Sequence, residues 1–247
     1  MQQCIFKENF INSSKNAKNM KVAVLYSGGK DSTAAIDFCM QRGWEIAYLL
    51  SVKPTRKDCF LFHFATVEHT KELAEILGLR HLFISCSVAD PKKEAELVKQ
   101  VVEQNKVDAV VLGGTGLQET QIRSIQNALQ PLGVKAFAAH QGREHGELFK
   151  SMIAEGYEIL VTQVASDGLN KWLGRIITKE NFPSLEKESL VYGFHIGFEG
   201  GYADTLVLDA PFFTKKLQVE KFHTVWDDPY CGHLIIDKIK LLEKIKV

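Results

Sequence analysis

Residues 20–32 read MKVAVLYSGGKDS, an apolar run that stops at Gly28 and Gly29 before helical periodicity takes over. Val22, Ala23 and Val24 are apolar at consecutive positions, so both faces of the strand they form need cover, as in a parallel sheet between helix layers. The alternation continues outward. EIAYLLSV precedes a helix over about Thr66 to Leu77, closed by Gly78, and HLFISCSV precedes a helix with Asp90 as N-cap and Pro91 at its first position. DAVVLGG is followed by QETQIRSIQNALQ, VKAFAAH by HGELFKSMIAEG, and EILVTQVA closes the series. This predicts an α/β fold with a doubly wound parallel sheet over residues 20–166. Beyond about Asp167 the rhythm changes. Helical turns near Trp172 and over Ser184–Val191 lead into HIGFEGG, TLVLDAP, KLQVEKFHTVW and HLIIDKIKLL, read as strands of a smaller mixed α+β region over 167–247. Residues 1–19, Asn- and Lys-rich and without periodicity, are expected to form a flexible tail.

A chain of 247 residues suffices for one large α/β domain, or one with a small addition. Thirty Lys and Arg balance thirty Asp and Glu, so no overall positive field favours nucleic acid or an anionic membrane, and direct nucleic-acid binding is not expected. Cys4, Cys39, Cys59, Cys86 and Cys231 form no CxxC pair and no zinc-spaced cluster, and read as reduced thiols. No apolar run approaches the roughly 20 residues that span a bilayer, and the first residues lack the h-region of a secretory signal. A cytoplasmic protein is expected.

Ligands of an open parallel sheet bind beyond the carboxyl ends of its strands, where SGGKDS falls. Gly28 and Gly29 remove side chains that would keep a phosphate from the backbone N–H groups, and the next helix begins with unpaired donors and a positive dipole end. Lys30 adds a cation, Ser27 and Ser32 add hydroxyl donors, and Asp31 can hold Mg²⁺ or orient the lysine. An anion is the natural occupant. The string is not GxxxxGK[ST], so γ-phosphate chemistry is not implied.

SGGKDS after a first strand resembles the pyrophosphate-binding loop of the ATP pyrophosphatase (PP-loop) superfamily, with its adenine nucleotide alpha hydrolase-like fold. That resemblance implies cleavage of ATP between the α- and β-phosphates. Ser27, Gly28, Gly29, Lys30, Asp31 and Ser32 would then bind ATP with Gly113 and Gly114, Lys30 and Asp31 would act in catalysis, and Asp31 would meet Mg²⁺. Four further stretches narrow the resemblance to the diphthine ammonia ligase family: DCFLFHFATVEHTKELAEILGL, Gly113-Gly114 with Arg123 beyond, LFKSMIAEGYEILVTQVASDGLNKWLG, and YGFHIGFEGGYADTLVLDAPFF. It implies adenylation of the carboxylate of diphthine on translation elongation factor 2, then amination by ammonium to give diphthamide, AMP and pyrophosphate. The family's GEGGEYET signature is matched at Glu199, Gly200, Gly201 and Thr205, whereas Phe198, Tyr202, Ala203 and Asp204 depart from it. A usual tryptophan after the fifth strand is His140, and LQETQIR replaces a Ser-Asp-Tyr-Gln run. Arg123, Glu199, Gly200, Gly201 and Thr205 are the implied substrate-binding residues, Glu199 also being catalytic.

Bland readings stand beside these. Arg123 suits a phosphate or carboxylate with its planar fork, or is a solvated helix charge. Glu199 orients ammonia or caps a turn. Asp209 reads as a turn residue, and His63 and His69 as packed or surface histidines rather than a helical metal pair. Departures at the acceptor side keep open a ligase of the same mechanism on another carboxylate, and a non-catalytic nucleotide sensor. A tRNA thiolase would need reactive cysteines that this spacing does not supply. A homo-oligomer stays open.

Overall fold

The computed structural model describes residues 19–56, 61–62, 67–116 and 118–244. The expected tail, apart from Asn19, falls outside them, as do Cys4, Cys59 and His63. Five strands, β1 (Lys21–Leu25), β2 (Glu45–Pro54), β3 (His81–Cys86), β4 (Ala109–Leu112) and β5 (Lys135–Ala138), form an all-parallel sheet in the order β3-β2-β1-β4-β5. The helices are α1 (Lys30–Gln41), α2 (Thr70–Leu77), α3 (Pro91–Gln104), α4 (Glu119–Leu129) and α5 (His145–Glu155). Local signals set their ends. Asp90 accepts from the Lys92 and Lys93 amides at 3.1 and 2.9 Å ahead of Pro91, and Gly78 closes α2 in the left-handed region.

The period-two geometry of β1 feeds two cores. Val22 and Val24 pack on one face with Ile36 of α1 and Leu73 and Ile76 of α2, while Ala23 joins Val98 of α3 and Ile125 and Leu129 of α4 on the other. The expected doubly wound sheet is therefore present. From β1 the chain winds to β2 and β3 on one side, then crosses to β4 and β5 on the other. The carboxyl ends of β1 and β4, neighbours with diverging connections, border the crevice where such sheets bind ligands.

The strand over residues 158–165 differs from its expected place in the parallel series. As β6 (Glu158–Ala165) it is central to a second sheet, antiparallel to β7 (Ile176–Ile177), β8 (Ala203–Asp209) and β10 (Cys231–Glu243). β9 (Lys215–Trp226) completes that sheet as a long hairpin with β10. An all-apolar strand needs two covered faces but does not dictate the direction of its neighbours, so EILVTQVA fits either sheet. HIGFEGG is likewise a loop rather than a strand, because Phe198, Gly200 and Gly201 take positive φ of 63, 90 and 80°. The helical turn at Asn170–Trp172 and α6 (Phe182–Tyr192) lie where the periodicity placed them. Ile159, Leu160 and Val161 of β6 and Leu206–Leu208 of β8 share the core of Val22, Val24 and α1, so the second sheet packs on the first.

Candidate active site

The chain leaves β1 through Ser27 and turns at Gly28, whose φ is +81°. A Cβ there would lie 3.1 Å from a Leu73 methyl and 3.2 Å from a Leu206 methyl, so glycine serves both backbone and packing. Ser27 and Ser32 hydroxyls lie 3.2 Å apart, and Ser32 Oγ donates to the Gly29 carbonyl at 3.1 Å. These bonds fold the loop onto the first turn of α1. Gly29 is the N-cap and brings no side chain to cap the helix.

β8 clasps this loop from the second sheet. The Val207 amide donates to the Gly28 carbonyl at 2.9 Å, and the Lys30 amide donates to Thr205 Oγ1 at 3.1 Å. Thr205 therefore holds the loop's backbone. From the other flank, the end of β4 meets α1 at Gly113, where a Cβ would sit 2.5 Å from the Asp31 carbonyl carbon and 2.6 Å from the Ser32 nitrogen. The structure thus gives Gly113 a close-approach role. Gly114, with φ +81°, lies against the Gln118 side chain.

Lys30 is 3% exposed. Its ammonium donates to both oxygens of Asp31, at 2.8 and 3.0 Å, and stands 5.6 Å from the centre of the Phe149 ring. His145 opens α5, 4% exposed, with Nε2 2.6 Å from Asp31 Oδ1 and 3.1 Å from Lys30 Nζ. Its Nδ1 is hydrogen-bonded to Glu199 Oε1. Lys30, Asp31, His145 and Glu199 thus form a continuous polar chain from the glycine loop to the turn before β8. Burial would push the Asp31 carboxyl up, but Lys30 and His145 beside it hold it well below the usual carboxylate range. Asp31 is therefore an anion at neutral pH, offering one hard oxygen-donor group. No group of three or more His, Cys, Asp or Glu side chains suited to a metal occurs among the described residues. A hard carboxylate oxygen is the donor type that suits a magnesium ion.

The loop that carries Glu199 is pressed on the start of α5. A Cβ on Gly197 would lie 2.9 Å from the His145 carbonyl carbon, and one on Gly146 would lie 2.5 Å from an Ile196 methyl. Glu144 caps α5 by accepting from the Gly146 and Glu147 amides, and stands 3.2 Å from His195 Nε2. Phe198 buries its ring beside Phe149 and Phe194, and Gly200 and Gly201 complete the turn.

Arg123 lies elsewhere, on the exposed face of α4, paired with Glu119 at 3.3 Å. His140 packs its ring on Phe38 and lies 3.3 Å from the Ala34 carbonyl, and burial pushes its pKa down. Asp209 binds Lys244 at 2.7 Å and its own turn at Ala210, in keeping with a structural residue. Sequence reasoning missed His145. The available signal was positional: it begins the helix after β5, at the carboxyl edge of the sheet.

Two family models match the chain: the diphthamide synthase N-terminal domain over residues 20–136 and the diphthamide synthase C-terminal domain over residues 145–242. Diphthine–ammonia ligase of Mus musculus is 28% identical over 253 residues, covering 92% of this chain and 94% of that protein. The Danio rerio protein of the same name is 28% identical, covering 92% and 99%. The Saccharomyces cerevisiae protein of that name is 25% identical and much longer, the match covering 78% of this chain and 33% of it.

Proposed function

Because the chain belongs to the diphthamide synthase family, which both of its halves match, we propose that it is an ATP-dependent amide ligase acting on diphthine of translation elongation factor 2. The observation that carries this is the junction of the two signatures, where Thr205 holds the Lys30 amide and Glu199 joins Asp31 through His145. An activating loop and an acceptor loop in one site suit a reaction with two halves.

A carboxylate does not accept an amine until one oxygen becomes a good leaving group. In the first half, a diphthine carboxylate oxygen attacks the α-phosphorus of ATP, the bond to the β-phosphate breaks, and pyrophosphate departs with the electron pair. The glycine loop and the start of α1 bind the departing phosphates, and the Lys30 ammonium meets their developing charge in a site of low exposure. Asp31 would be the residue to hold a magnesium ion, whose chemistry would be further neutralisation of phosphate charge. In the second half, ammonium loses a proton to water, the resulting ammonia attacks the acyl carbon, AMP leaves with the electrons of the broken C–O bond, and the nitrogen gives up a second proton to water. Glu199 lies on the acceptor side, where its carboxylate orients the incoming ammonia. Gly200 and Gly201 shape the turn that presents it. Ammonium is the nitrogen source, the working location is the cytoplasm, and no described helix is long and apolar enough to cross a membrane.

The departures at Tyr202, Ala203 and Asp204 favour a second reading, the same two-step chemistry on a smaller carboxylate. Purified protein with Mg-ATP and ammonium separates the two. AMP and pyrophosphate release that requires elongation factor 2 carrying diphthine, with its conversion to the amide, is expected. Release with small carboxylates and none with the modified factor would favour the second reading.

A further inference from the structure

His145 belongs to neither signature and touches a carboxylate of each. We propose that His145 is a positioning residue for the amination half of the reaction, fixing the Glu199 carboxylate through Nδ1 while Asp31 of the nucleotide loop holds Nε2. The inference rests on the ligation proposed above only for what Glu199 is positioned to do.

A buried imidazole is costly unless its polar atoms are satisfied, and here both nitrogens have partners. Carboxylate oxygens only accept, so Nε2 donates to Asp31 and Nδ1 donates to Glu199, the ring carrying both protons, and Nε2 cannot also accept from Lys30. At 2.6 Å the donation to Asp31 is the shorter contact, and Lys30 Nζ already has both Asp31 oxygens. The ring's own mount is rigid, because Glu144 caps the helix that His145 opens and Gly197 leaves no room above its carbonyl. Glu199 lies in the opposite setting. It follows Phe198 at positive φ and precedes Gly200 and Gly201, in a loop outside the strand ladder. Without an anchor its carboxylate would sample many orientations, and His145 Nδ1 supplies one from a fixed helix end. The acceptor-side carboxylate is thereby tied to Asp31, so both halves of the site share one geometry.

Two conservative variants dissect this, because an Asn amide nitrogen can stand in for Nδ1 and a Gln amide nitrogen for Nε2. Amide hydrogen exchange over residues 198–202 is measured in wild type, H145A, H145N and H145Q without nucleotide. Exchange is expected to rise about tenfold in H145A and H145Q, the scale of one lost bond to a charged group, and to stay near wild type in H145N. Unchanged exchange in H145A, or equal restoration by H145Q, would overturn the proposal. If H145A loosens the whole fold, exchange rises across β1–β5 too, and the Asn/Gln contrast decides. With diphthine-bearing elongation factor 2, amide per AMP should fall about tenfold in H145A and recover in H145N. Amide per AMP unchanged in H145A, or not recovered in H145N, would also overturn it. Absence of amide from the wild-type protein would sink the ligation reading alone, since the exchange arm does not depend on it.

Discussion

The loop over residues 27–32 takes its left-handed turn at Gly28, with φ +81°, whereas the loop over residues 194–202 takes one at Phe198, with φ +63°. Glycine adopts that conformation without penalty, while a side-chain-bearing residue costs roughly 1–2 kcal/mol there. Phe198 tolerates the cost because its ring is buried beside Phe149 and Phe194, and burying a phenyl group contributes about 1.5–3 kcal/mol. The first loop needs no side chain to make its turn, and β8 and β4 brace its backbone from either flank. The second is fixed by what it packs against. Phe198 thus has a tertiary anchor where a glycine would have local freedom. On the proposed function, the contrast teaches that changes in the second loop should bear more on amination than on nucleotide activation.

The largest test of the contrast is Phe198→Ala beside Phe198→Gly. Both lose the ring, at about 3–5 kcal/mol by denaturant unfolding for alanine, but glycine also relieves the backbone and should be about 1 kcal/mol less destabilised. Equal losses would show that the left-handed turn carries no strain. Next is Lys30→Ala, expected to cut AMP release about 10²–10³-fold with the circular dichroism spectrum unchanged. Turnover near wild type would remove the loop from the chemistry. Gly113→Ala forces a methyl against the Asp31 and Ser32 backbone and should cost about 1–3 kcal/mol of stability and weaken ATP binding measured by calorimetry. An unchanged variant would mean that β4 does not brace the loop. The smallest effect concerns α6, whose Glu188 accepts from the Trp172 indole at 2.6 Å and pairs with Lys171. Burial opposes the charge, but Lys171 and Trp172 hold the Glu188 pKa below the usual carboxylate range. Its contribution is therefore complete above the ordinary value of about 4.3 and is lost as pH falls through the lower folded value. Glu188→Gln should cost under about 1 kcal/mol at pH 7, and urea melts should show the difference shrinking in acid.

The parallel sheet was legible because its signals are local: apolar runs, the Asp90 cap, the Gly78 stop and the glycine loop each announce themselves within a few residues. β6 was misplaced because an apolar strand carries no mark of its partners' direction. HIGFEGG alternates like a strand, and only the positive φ at Phe198 and the glycines after it makes a turn there. The site divides the same way. Lys30 and Asp31 could be read from their motif, and Glu199 from its resemblance, but Thr205 on the loop backbone and His145 between two carboxylates depend on contacts across 175 and 114 residues of chain. Arg123 pairs with Glu119 one turn earlier on α4 at an exposed position, a contact that sequence spacing also allowed.

The central claim, that one loop activates and the other governs the acceptor, is tested most directly by Glu199→Gln. AMP and amide are quantified in the same reaction with Mg-ATP, ammonium and diphthine-bearing elongation factor 2. The account predicts AMP release close to wild type with amide per AMP reduced about tenfold, as adenylate is lost to water. AMP and amide falling together would contradict it, placing Glu199 in nucleotide activation and joining the two loops in a single role.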